Sequence, residues 1–258
     1  HAVDGPFVVS TVTEELHRLG LSPIDLLHPV VGVARDGDGN LKSLGPARTA
    51  PRRETYLAMD LHSVLNEESR NTIAEHLRDV LDDALHAMRD FLPIKQRIAG
   101  IAMEVEVTAG ARYDTAEVTE VATFLRWLLD DYFVFLGYRG YDIHGTGDDA
   151  TAVVAPGSGL GILHAEDRSR YAQPVPLSAL TEALQHQATD GPLLRISRTN
   201  RLSSVHRQVR MIDVSIQKVD PSGRLVGEHR ILGLLAQKAF VEPASTIPVL
   251  RRKLRLVL

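Results

Sequence analysis

Apolar residues first recur at helical spacing at Val8, Val12, Leu16 and Leu19. Pro6 suits a first helical turn, where its missing N–H costs nothing, and Gly20 supplies a stop. Ile24 to Arg35 then reads as a strand, Asp36-Gly37-Asp38-Gly39-Asn40 as a turn, and Gly45 to Arg53, with two prolines, as a loop. Glu54 to His62 is a second strand, with Tyr56, Ala58 and Asp60 alternating against Thr55, Leu57, Met59 and Leu61. A long helix follows from about Glu67 to Phe91. Asn66 is its cap, and Ile73, Leu77, Val80, Leu81, Ala84 and Met88 form one apolar face. Pro93 sits just beyond its end. Helix, strand, strand, helix is the middle of a βαββαβ unit whose first strand would precede Pro6.

The second half starts with a different pattern. Residues 93–113 read as a connector, in which Ile94 to Ile101 extends a helix and Glu104 to Thr108 is ambiguous between helix and strand. Asp114, with Glu117 three residues on, makes a capping box before the stripe Val118, Val121, Ala122, Leu125, Leu128, Leu129 and Tyr132. Phe133 to Tyr141 turns aromatic and extended, and Thr151 to Val154 is a short strand. Pro176 to Gln187 reads as a helix and Leu193 to Ser197 as a strand. From Val205 to Val219, Ile212, Val214 and Ile216 point one way while Asp213, Ser215 and Gln217 point the other. Asp220-Pro221-Ser222-Gly223 turns this strand into its partner, Leu225 to Ala236. Pro248 opens a basic amphipathic helix that runs to Leu258.

Composition narrows the chemistry. The 258 residues hold enough apolar stock, 44%, to bury a core without cross-links. There is no cysteine, which excludes disulfides, thiolate metal sites and cysteine nucleophiles. Lys and Arg number 29 against 33 Asp and Glu, so no broad field favours nucleic acid or an anionic membrane. Apolar runs are too short for a membrane helix, and the start lacks a basic region followed by an apolar one, so a cytoplasmic setting is expected.

Several motifs invite chemistry. Gly157, Gly159 and Gly161 are spaced GxGxG rather than GxGxxG, and Ile162-Leu163-His164 continues extended where a dinucleotide site needs a helix N-terminus. A tight turn is the better account. Ser158 is not in a nucleophile elbow, because Pro156 stands at the place of the first glycine. Eleven histidines show no HExxH or convincing helical pair, and His206 and His229 fall near the edges of the hairpin, so no metal ligand set is assigned. Glu228-His229-Arg230 is a charged trio within a strand. Glu228 and Arg230 share a face, for pairing with Arg207 or Arg210 across the sheet or for facing a ligand. Arg251, Arg252, Lys253 and Arg255 form a basic run without stacking aromatics, as expected of a solvated helix face or of a contact to a further part of the chain.

Six ordered segments carry a resemblance. They are Asp4-Gly5-Pro6-Phe7-Val8-Val9 with His28-Pro29-Val30, Phe124-Leu125-Arg126-Trp127-Leu128 with Phe133 to Tyr138, Gly157 to Leu163, Ser204-Val205-His206-Arg207, Gly227 to Leu234, and Ile247 to Lys253. Together they resemble the N-terminal region of large bacterial NAD-specific glutamate dehydrogenases, over nearly the whole chain. The resemblance implies a non-catalytic piece of an enzyme that oxidises L-glutamate to 2-oxoglutarate and ammonia with NAD. The catalytic residues and the NAD site would lie beyond this chain, so it would hold no catalytic residue, cofactor or metal of its own. The implied fold is α+β: an ACT-like, ferredoxin-like βαββαβ domain over 1–92 with its first strand truncated or lacking, the connector 93–113, a second α+β domain with an antiparallel sheet over 114–245 that is ACT-like or PAS-like, and a helical segment from 246. By the same resemblance, Asp4, Gly5, Pro6 and Phe7 would lie near an amino-acid effector. Arg207, Glu228 and Arg230, read from their places on the strands, would be structural or interface charges. Expected partners are the rest of the parent chain, other subunits and an amino-acid effector, with no nucleic acid or membrane. A purely architectural module without a ligand, or a free-standing PAS-like or ACT-like sensor, are the alternatives.

Overall fold

The computed structural model describes residues 1–62 and 64–257, without the side chains of residues 148 and 255–257. It divides into two compact units: His1–Met88 with Leu202–Val209, and Arg89–Arg201 with Arg210–Leu258.

In the first unit a two-residue strand β1 (Ala2–Val3) leads to helix α1 (Val8–Arg18). Val8, Val12 and Leu16 are buried, as the spacing predicts, and Gly20 ends the helix at φ 75° with the N–H groups of Leu19 and Gly20 returned to Glu15 and His17 carbonyls. Pro6 lies ahead of the helix rather than in its first turn; Phe7, at φ 74°, makes the approach. The strand expected over residues 24–35 breaks into β2 (Pro23–Leu27) and β3 (Val30–Arg35). The break falls at His28-Pro29, where proline lacks an N–H and restricts its predecessor. β4 (Leu41–Gly45) was not visible in the pattern, because every one of its residues is exposed and no face alternates. β5 (Arg53–Thr55) and β6 (Ala58–Leu61) share out the second expected strand in the same way. The strand order is β1-β5-β3-β4, with β2 pairing β6 separately. β5 is antiparallel to both β1 and β3, which gives the split βαβ of a ferredoxin-like unit. α2 (Glu67–Arg89) starts at Asn66, whose Oδ1 accepts the Ser69 N–H at 2.8 Å. Its Ile73, Leu77 and Leu81 pack against Val12, Leu16 and Leu21 of this unit. Among the described residues no closing strand follows α2; the chain enters another helix.

That helix, α3 (Phe91–Thr108), occupies most of the stretch read as a connector. Pro93 is accommodated because it falls in the first turn, where backbone N–H groups have no intrahelical partner. Ile94, Ile98, Ile101, Ala102 and Val105 are all buried. α4 (Thr115–Trp127) is capped as predicted, with Asp114 Oδ1 accepting the Glu117 N–H at 2.8 Å. A wide turn then passes through Asp131 at φ 61° into β7 (Phe133–His144). β8 (Thr151–Val154), β9 (Leu160–Gly161), β10 (Val175–Pro176), α5 (Glu182–Asp190), β11 (Leu194–Leu202), β12 (Arg210–Val219), β13 (Leu225–Leu235), α6 (Gln237–Val241) and α7 (Leu250–Val257) follow. The sheet runs β10-β8-β7-β13-β12-β11, with β9 on β7. The first and last long strands, β7 and β13, are thus central neighbours, and the element order is not βαββαβ. The β12–β13 hairpin forms as expected, closed by Asp220, whose Oδ1 accepts the N–H groups of Ser222 and Arg224. These bonds, led by the Ser222 hydroxyl, hold its carboxyl down at about 2.

The two faces of this sheet differ. Val214, Ile216, Ile231, Phe135 and Tyr138 join α3 and α4 in one continuous core. The opposite face carries polar residues beneath α5.

Candidate functional site

The N-terminal turn, where Asp4, Gly5, Pro6 and Phe7 would meet an effector, makes contacts within its own unit. The Asp4 carboxylate lies 3.5 Å from Arg53, and its N–H donates to the Arg53 carbonyl. Gly5 lies against the Met88 sulfur so closely that a Cβ would meet it at 2.4 Å. The Phe7 ring stacks on His206 with centroids 4.7 Å apart. His206 itself sits on α1: its N–H donates to Thr11 Oγ1 at 3.0 Å and its Nδ1 is 3.1 Å from Ser10 Oγ. Burial holds the His206 imidazole below its ordinary pKa. Arg207 lies in the same segment of the first unit.

The glycine loop answers its own N–H groups. Those of Gly157 and Gly159 donate to the Glu166 carboxylate, at 3.1 and 2.6 Å, and that of Gly161 donates to Asp90 at 2.8 Å. Two carboxylates therefore occupy the positions where a phosphate would sit in a dinucleotide loop. Gly161 is required: at φ 59°, a Cβ would stand 2.1 Å from the Leu136 carbonyl oxygen.

His229 is not at the edge of the hairpin. It is 1% exposed in the middle of β13, on the helix-covered face. Arg97 Nε donates to the Tyr138 hydroxyl at 3.0 Å, that hydroxyl lies 2.8 Å from His229 Nδ1, and His229 Nε2 is 3.3 Å from Glu104. One polarity satisfies all: Tyr138 O–H donates to Nδ1 and Nε2–H donates to Glu104. Burial holds His229 below its ordinary pKa, while the bond from His229 lowers Glu104.

Glu228 and Arg230 do share a face, but their partners differ from those expected. Arg230 binds Asp213, with Nε at 3.0 Å. Asp213 is 4% exposed, and pairing is what permits a carboxylate there. Register sets Gln217 and Tyr141 on either side of Glu228, and Ser215 and Arg139 on either side of Arg230. Arg195 on β11 donates to Ser215 Oγ at 3.2 Å. Burial pushes the Glu228 carboxyl up, and the nearby positive charge of Arg195 offsets part of this.

These side chains floor a cavity of about 290 Å³. Its walls are apolar, from Ile143, Ala152, Leu177, Leu180, Leu184 and Ala188. Three buried polar atoms on the lining have no hydrogen-bond partner among the described residues: Arg195 Nε, Gln187 Nε2 and Gln217 Oε1. Asp213, Ser215 and Gln217 were legible in sequence as one polar face. Arg195 and Gln187 were not, since only the fold brings β11 and α5 to that face.

Residues 1–77 match the family model described as glutamate dehydrogenase, ACT1 domain. The NAD-specific glutamate dehydrogenase of Halomonas elongata is 30% identical over 258 residues, 99% of this chain. The enzymes of the same name from Pseudomonas aeruginosa and Mycobacterium tuberculosis are 28% and 27% identical over 97% and 98% of the chain. The chain is related to the NAD-specific glutamate dehydrogenases. It spans only 15–16% of the length of these glutamate dehydrogenases. The ACT1 match covers β1 to the middle of α2, the elements of the split βαβ. No helix among the described residues is long and apolar enough to cross a membrane.

Proposed function

We propose that this chain is a non-catalytic, N-terminal regulatory and assembly region of a large NAD-dependent glutamate dehydrogenase working in the cytoplasm. The parent enzyme would convert L-glutamate and NAD to 2-oxoglutarate and ammonia, with the catalytic residues and NAD on other parts of the chain. The observation that carries this reading is the match along the whole chain to enzymes about six times its length, with an ACT1 domain at its start. The second unit reads as PAS-like rather than ACT-like: its first and last long strands pair at the centre of an antiparallel sheet, and the helical segment between β8 and β11 covers one face around a cavity. Regulation would work by an effector binding two states of the parent with different affinity.

An assembly role is favoured by exposed leucines on sheet strands of the first unit. Leu26 and Leu27 on β2, and Leu41 and Leu44 on edge strand β4, are 43–68% exposed. Their natural cover is another subunit or the rest of the parent chain.

The test compares this chain alone with the full-length parent, intact and lacking residues 1–258. The chain alone should not reduce NAD with glutamate; turnover by it would overturn the non-catalytic assignment. The truncated parent should lose its response to amino acids or change its oligomeric state by light scattering. Unchanged response and unchanged size would overturn the regulatory and assembly reading together.

A further inference from the structure

We propose that the cavity beneath α5 binds a free amino acid with an apolar side chain, its carboxylate held by Arg195 and Gln187 and its ammonium by Gln217 and Glu228. The inference stands on the cavity itself, and it deepens the regulatory reading only by naming the effector class and its site.

The polar inventory points to a zwitterion. Asp213 and Arg230 neutralise one another through a two-pronged contact, so neither is free to bind. Arg170 is held over the Tyr171 ring, 5.0 Å from its centroid. Glu228 and Arg195 remain as one acid and one base on the lining, without a direct ion pair between them. Two of the three unpartnered atoms, Arg195 Nε and Gln187 Nε2, are donors, and they suit a carboxylate. The third, Gln217 Oε1, is an acceptor and suits an ammonium. Gln217 is 3% exposed, and its own amide N–H is already engaged by the Gln187 carbonyl at 2.8 Å, so its orientation is fixed. Arg195 is fixed in the same way, by Ser197 and Ser215 on its two terminal nitrogens.

The walls give the rest of the ligand. Leu177, Leu180, Leu184 and Ala188 come from the helical cover, and Ile143 and Ala152 from the sheet. None of the six offers a partner to a polar side chain. At about 290 Å³ the cavity lies at the lower edge of the roughly 300–1,000 Å³ usual for small-molecule sites. That size suits a single amino acid and excludes a dinucleotide.

The experiment is calorimetric titration of the 258-residue chain with L-leucine, L-methionine and L-phenylalanine, beside L-glutamate and L-aspartate. At least one apolar amino acid should bind with a dissociation constant of about 1 mM or tighter. The two acidic ones should bind at least tenfold more weakly, roughly the loss expected when a charge must be desolvated without a partner. 4-Methylpentanoate, which lacks the amine of leucine, and isoamylamine, which lacks the carboxylate, should each bind at least about tenfold more weakly than leucine. This series needs no mutation. Arg195→Gln and Gln217→Met should then each weaken the best ligand by about tenfold or more, while the far-UV spectrum stays unchanged. Silence across all five amino acids, or tighter binding of glutamate than of every apolar one, would overturn the proposal. If binding occurs but the parent's activity ignores it, the site stands and the regulatory reading falls.

Discussion

The two faces of the second unit's sheet are built from alternate residues of the same strands, yet they do opposite things. On the helix-covered face, Val214, Ile216 and Ile231 are fully buried, and the buried His229 has both ring nitrogens engaged. On the other face, Asp213, Ser215, Gln217, Glu228 and Arg230 are set in neighbouring register positions under α5. The second face keeps three buried polar atoms without partners among the described residues, and these are the atoms that the proposed ligand would engage.

The largest expected contrast is in stability. Ile216→Ala removes a 0% exposed side chain from the continuous core and should cost about 2–5 kcal/mol in urea unfolding. A loss below about 1 kcal/mol would mean that the helix-covered face is not the stabilising one. Arg230→Ala leaves Asp213 buried without its partner. It should cost about 1–3 kcal/mol, the usual value for a broken buried pair discounted because the Arg230 side chain is 36% exposed. The double variant Asp213→Ala/Arg230→Ala should cost less than the sum of the two single changes; simple additivity would show the pair to be idle.

Two smaller predictions separate the faces by pH. His229 lies below its ordinary value of 6.5, so the unfolded chain binds that proton more readily. Its contribution to stability is complete above 6.5 and is lost as pH falls below it towards the folded value. His229→Gln should therefore flatten the fall in melting temperature between about pH 6.5 and 5 relative to the native chain, a comparison that leaves His206 unchanged in both. An identical slope in both proteins would remove His229 from the account. Glu228 has the opposite sign: its carboxyl is raised above the ordinary 4.5 by burial, so ionisation opposes folding once pH rises through the folded value. Glu228→Gln should raise the melting temperature at pH 8 and leave it nearly unchanged at pH 4. A lower melting temperature at pH 8 would show that the Glu228 charge is compensated after all.

The sequence was readable wherever one element carried its own signal. Val8, Val12 and Leu16 marked α1, Asp114 and Glu117 marked the start of α4, and the turn at Asp220 marked the hairpin. It was misleading where exposure or partner choice governed the outcome. β4 has no buried face to betray it, and the halves of each long strand around it choose different partners. Within the stretch read as a connector, the helical reading of Ile94 to Ile101 agrees with α3, while Glu104 to Thr108, left ambiguous, belongs to the same helix. The charged trio was seen, but Arg230 took Asp213, and Arg207 went to the first unit.

By itself, then, the sequence determined the α+β class, the helix-strand-strand-helix opening and the alternation that makes one side of β12 polar, because period and capping are local properties of the chain. Only the tertiary structure decided that β11 would pair beside β12 and that α5 would cover that polar side, bringing Arg195 and Gln187 to Gln217 and Glu228. The physical reason is that the cavity is lined by residues far apart in the chain, from Tyr141 on β7 and Ala152 on β8 to Glu228 and Arg230 on β13. No periodicity spans that distance; strand order alone sets it.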